Sequence, residues 1–140
     1  MTTNRISSDA YTTGLIAGLA HLNVKTINVS HPKFYPASLE AFQTFESIVQ
    51  SEGYNLRFWF TIDQLHGDAP EIKQAFLRAS LRGLVFFSDN HMFLDIDKDE
   101  THLYFRNLPG EAGFYIQAAK MFLKYDETLA TYMPRSVNFS

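Results

Sequence analysis

Three groups of polar side chains in this chain have types and spacing that could do chemistry. Asp63, His66 and Asp68 fall in the turn D-Q-L-H-G-D, directly after a strand-like run. Strand ends often carry catalytic side chains, and two carboxylates beside an imidazole can hold a metal ion that activates water. The plainer reading of the same turn is structural: Asp68 caps the next helix and Gly67 supplies the bend. Asp97 and His102 are the second group. If the segment between them is a hairpin loop, their Cβ atoms stand ~5 Å apart across two strands, close enough to share one metal ion. His91 lies three two-residue steps of ~6.6 Å further along and stays out of that pair. The third group, Asp95, Asp97, Asp99 and Glu100, has the look of a calcium loop. A loop of that kind opening at Asp95 needs glycine and glutamate where the chain has Glu100 and Arg106, so the cluster reads as a solvated hairpin tip. The chain has no G-x-S-x-G elbow, and its seven glycines are scattered and form no phosphate-binding loop. No cofactor is implied.

The rings are the more informative residues. Thirteen Phe, seven Tyr and one Trp in 140 residues exceed the ordinary needs of a core this size, so some are expected to line a pocket or an interface. Trp59, Phe93, Tyr104, Arg106 and Tyr115 are the expected partner-binding set, because aromatics and arginine dominate such contacts. The formal net charge of −3 and the scatter of the basic residues argue against nucleic acid. The absence of cysteine excludes disulfides, thiolate metal sites and thiol nucleophiles, and fits a reducing compartment. There is no signal-like core at the N-terminus and no apolar run near the ~20 residues a membrane helix needs. A cytoplasmic protein without membrane contact is expected.

The elements that would position these residues follow from periodicity. Ser7 or Ser8 caps a helix carrying Tyr11, Leu15, Leu19 and Leu22, in which Gly14 and Gly18 lower the propensity. Val24 to Val29 reads as a strand. A second helix opens at Ser38, buries Leu39, Phe42, Phe45 and Val49, and stops at Gly53. Leu56 to Ile62 alternates as a strand, with Trp59 on its outer side. A third helix follows Asp68 and Pro70 and ends at Gly83.

Leu84 to Phe105 then reads as a three-strand meander turning at Asp89-Asn90 and at 98–101. It sends Val85, Phe87, Met92, Leu94, Ile96, Leu103 and Phe105 to one face. Phe86 should face Phe93, Phe93 should face Arg106, and Tyr104 should stand nearby. A final helix carries Tyr115, Ala118, Phe122 and Tyr125 and runs to Met133.

The predicted order, α-β-α-β-α-β-β-β-α, is an α+β domain: a mixed or antiparallel sheet, ending in the meander, covered by about four helices. One domain over 1–140 is expected, with flexible ends at 1–7 and 134–140. Residues 24–123 resemble the thioredoxin-like succession, with T-I-D-Q and the L-V-F-F/H-M-F-L hairpin in corresponding places. The loop S-H-P-K-F-Y-P departs from that family in lacking cysteine, and no proline precedes the meander. The C-terminal half resembles small acidic chaperones of secreted bacterial effectors in its helix, hairpin and long helix, although those carry strands where 38–50 here reads as helical. Neither resemblance transfers a functional residue. The function expected is a non-catalytic protein-binding module, of adaptor, inhibitor or chaperone type and homodimeric, that uses an aromatic sheet face and the last helix. The alternatives are a small metal-assisted hydrolase and a small-molecule binder with an aromatic cavity.

Overall fold

The computed structural model describes residues 5–61 and 69–134. Its centre is helix α1 (Ser8–His21), in which every residue from Tyr11 to Ala20 is buried. A helix can be covered on all sides only if its polar groups are satisfied locally. The Thr12 and Thr13 hydroxyls donate to the Ser8 and Asp9 carbonyls, each at 2.8 Å. Ser7 caps the helix, accepting the Ala10 N–H at 3.1 Å, with Asp9 in the first turn. The chain is already ordered ahead of this cap. Arg5–Ile6 form strand β1, with Ile6 fully buried, where a flexible leader was expected.

Strand β2 (Val24–Asn28) leads into helix α2 (Phe34–Ser51). That helix opens four residues before Ser38. Pro36 sits within its first turn, where a missing N–H costs no hydrogen bond, and the Ser38 hydroxyl donates to the Phe34 carbonyl at 2.8 Å. Gly53, at φ +87°, follows the helix as anticipated. The strand expected over 56–62 shrinks to β3 (Asn55–Leu56), parallel to β1, with the Arg57 N–H bonded to the Ile6 carbonyl at 3.0 Å. Beyond it, residues 58–61 form no strand. Because β3 joins β1 and not β2, the sheet implied by a thioredoxin-like succession does not form.

Helix α3 (Pro70–Leu81) buries Ile72, Phe76 and Ala79 and hands over to strands β4 (Val85–Ser88) and β5 (His91–Leu94). Here the sequence register holds. Val85 faces Leu94, Phe86 faces Phe93 and Phe87 faces Met92, and the turn is made by Asp89 and Asn90 at φ 48° and 65°.

The expected third strand is replaced by a 3-10 turn at Lys98–Glu100 and helix α4 (Thr101–Arg106). A strand has two edges. Those of β5 are taken by β4 and by β2, which pairs Thr26 with Phe93 and Ile27 with Met92. Asp97 meanwhile bends the chain by accepting the Asp99 N–H at 3.0 Å. Leu103, placed by the meander in the core, is consequently exposed.

Helix α5 (Ala112–Tyr125) also ends earlier than its periodicity suggested. The Asp126 carboxylate accepts from the Thr128 N–H at 2.9 Å and from its hydroxyl at 2.6 Å, and the chain returns as β6 (Ala130–Tyr132) on the free edge of β2. The result is α+β: an antiparallel sheet in the order β4-β5-β2-β6, a separate parallel pair β1-β3, and five α-helices among the described residues.

Most of the surplus rings are core. Tyr11 packs against Phe42, Phe45, Phe58 and Phe60, and Phe34 lies against Phe76 and Phe122. No described helix is long and apolar enough to cross a membrane.

Candidate interaction surface

The four-stranded sheet has unequal faces. By the alternation of strand side chains, Phe87, Met92 and Ile27 form one row toward the helices, with Met92 and Ile27 fully buried. The neighbouring row on the opposite face is Phe86, Phe93, Thr26 and Thr131, one residue from each strand in sheet order. Phe86 and Phe93 stack with centroids 4.9 Å apart and planes 3° from parallel. The Thr26 and Thr131 hydroxyls share a 2.6 Å hydrogen bond across the next strand pair. Phe86 is 49% exposed, Phe93 is half-buried beside it, Ser88 and Thr131 are exposed, and Thr26 in the middle of the row is buried. An aromatic pair therefore stands at the partly open β4 end of this face, where polar residues are the rule on a wet sheet surface.

β4 is an edge strand and consists of Val85, Phe86, Phe87 and Ser88, with no charge and no proline. The opposite edge, β6, runs within two residues into Pro134, which blunts pairing. The two edges thus differ in the protection that soluble sheets normally carry.

The remaining expected partner residues lie elsewhere. Trp59, 69% exposed, borders a shallow hollow of about 430 Å³ with Phe58, Phe60, Pro70 and Arg78. Tyr104 borders another, of about 460 Å³, with Arg82, Glu100 and Asn107. Arg106 is exposed in the last turn of α4 and does not face Phe93. Tyr115, expected at the surface, is fully buried, with its hydroxyl donating to the Pro109 carbonyl at 2.6 Å. Its ring fills the space left by Gly14. The cross-strand contact of Asp97 with His102 does not form, because His102 belongs to α4. Asp63, His66 and Asp68 lie outside the described residues. Among the described residues no three acidic or histidine side chains gather as a metal site would require.

One constellation escaped the sequence reading. His31 Nδ1 accepts the Lys33 N–H at 2.9 Å, so Nε2 carries the proton and donates to the Thr128 hydroxyl at 2.8 Å. Thr128 in turn donates to Asp126. The Thr128 hydroxyl first, and its N–H second, hold the Asp126 carboxyl below its ordinary pKa. The chain of bonds ties the β2–α2 connection to the α5–β6 connection. The D-x-T spacing at 126–128 was its visible cue, masked by the apolar periodicity of the preceding helix.

Comparison with protein-family models, curated proteins and solved structures finds no match to this chain.

Proposed function

We propose that this chain is a non-catalytic protein-binding domain of the adaptor, inhibitor or chaperone kind. Its contact surface is the outer face of the four-stranded sheet, and its first partner is a second copy of itself. The observation that carries this reading is the stacked, partly exposed pair Phe86–Phe93 beside the unprotected edge β4. Two β4 strands related by a two-fold axis pair antiparallel, which satisfies the free backbone groups of both edges. Such pairing extends the aromatic row across the joint, and the rings supply the buried area. The cysteine-free composition suits a reducing, cytoplasmic setting.

Size-exclusion chromatography with light scattering tests the reading. The wild-type chain is expected to run as a dimer. Phe86→Lys, which puts a charge on the edge and removes a ring from the face, is expected to give a folded monomer. Arg106→Glu, on α4 and off the sheet, is expected to leave the dimer intact. A wild-type monomer at high micromolar concentration, or a dimer indifferent to Phe86→Lys, overturns it.

A further inference from the structure

The helix-facing side of the same sheet holds a second feature, independent of the dimer. Phe87 belongs by alternation to the inward row with Met92, yet it is 39% exposed. Beneath it is a cleft of about 260 Å³ between α2, α3 and β4. Phe34 and Phe76, both nearly fully buried and with ring centroids 5.7 Å apart, lie deepest in it. Val29 closes one side, and Leu77, itself 39% exposed, borders it from α3. With Tyr35, these five apolar side chains line a space that is open among the described residues.

The remaining lining residue is a cation. Lys73 stands one helical turn before Leu77, on the same side of α3, and reaches the cleft. Among the described residues its ammonium makes no hydrogen bond and no ion pair with any side chain. An apolar slot with a single free ammonium beside it complements a ligand with an apolar body and one negative end.

We propose that this cleft binds a small apolar carboxylate, its hydrocarbon against Phe34, Phe76 and Phe87 and its carboxylate on Lys73. A volume just under the ~300 Å³ at which drug-sized sites begin limits the occupant to one ring or a chain of about eight carbons. A lysine is a point charge without the planar fork that recognises phosphate bidentately, and this favours the singly charged carboxylate.

Calorimetric titration with octanoate and with octanol, combined with NMR shift mapping, tests the site. Octanoate is expected to saturate one site and to shift Val29, Phe34, Phe76 and Phe87. Lys73→Glu, an exposed substitution outside the core, and octanol are each expected to weaken binding by about fivefold, as a partly exposed ion pair allows. Phe86→Lys, whose side chain lies on the other face, is expected to bind octanoate like the wild type, so the fate of the dimer does not bear on the result. No saturable binding, equal binding by octanol, indifference to Lys73→Glu, or shifts confined to the outer face each overturn the proposal.

Discussion

The Tyr11 hydroxyl is the one buried side-chain polar atom without a hydrogen-bond partner among the described residues. Its ring is wedged among four phenylalanines with centroids 4.7 to 5.9 Å away, and burial pushes its pKa far above the ordinary phenol value. Tyr115 is buried to a similar degree but donates to the Pro109 carbonyl, so the two tyrosines pose opposite problems. An unpaired buried hydroxyl costs ~1–3 kcal/mol, and removing it without changing the ring returns part of that. Tyr11→Phe is therefore expected to raise stability by about 1 kcal/mol. Urea unfolding should show a higher midpoint at unchanged slope. A lower midpoint would mean that the hydroxyl has a partner. Helical periodicity is enough to put Tyr11 on the buried stripe of α1. Whether a hydroxyl finds an acceptor depends on a chain fold that no local spacing encodes.

Gly14 and Gly18 matter as parts of an element. They stand four residues apart in the sequence, a spacing that by itself names no partner. The partner is α5: a Cβ on Gly14 would collide with the edge of the Tyr115 ring, and one on Gly18 would stand 3.0 Å from the Tyr115 carbonyl oxygen. Tyr115 is fully buried and tied by its hydroxyl, so its ring cannot swing aside. Gly14→Ala gains ~1 kcal/mol of helix propensity. Overpacking costs ~1–3 kcal/mol and here meets a fixed ring, so a net loss near the upper end, about 2 kcal/mol, is expected in thermal or urea unfolding. A neutral or stabilised variant would mean that α1 and α5 are not in that contact.

The β4–β5 hairpin, by contrast, was legible residue by residue. Asp89-Asn90 and the alternation around it are sufficient to fix its register. Helix α4 was not legible, because T-H-L-Y-F-R is too short and too apolar for periodicity to separate strand from helix. The deciding fact, occupation of β5's second edge by β2, comes from far along the chain. β6 was hidden for the same reason. Its pairing with β2 is long-range, while its local pattern continues that of α5.

At the scale of the whole molecule, α1 is wrapped by helices and by the inner sheet face, while the β4 end of the outer face carries two stacked, partly exposed rings. The α+β class was legible because helical and alternating stretches differ along the chain. The single aromatic-and-arginine surface drawn from that order was not, because Tyr104 and Arg106 turn away with α4 and Tyr115 turns inward. Phe93 alone of that set remains on the sheet, with Phe86 as its neighbour. The unprotected edge beside them makes pairing of β4 with a second β4 the central claim. Amide hydrogen exchange along Val85–Ser88, followed over a dilution series, reads it directly. The outward-facing amides of β4 are expected to be protected in concentrated protein and to lose that protection on dilution, in step with dissociation of the dimer. Fast exchange of those amides at every concentration would contradict it.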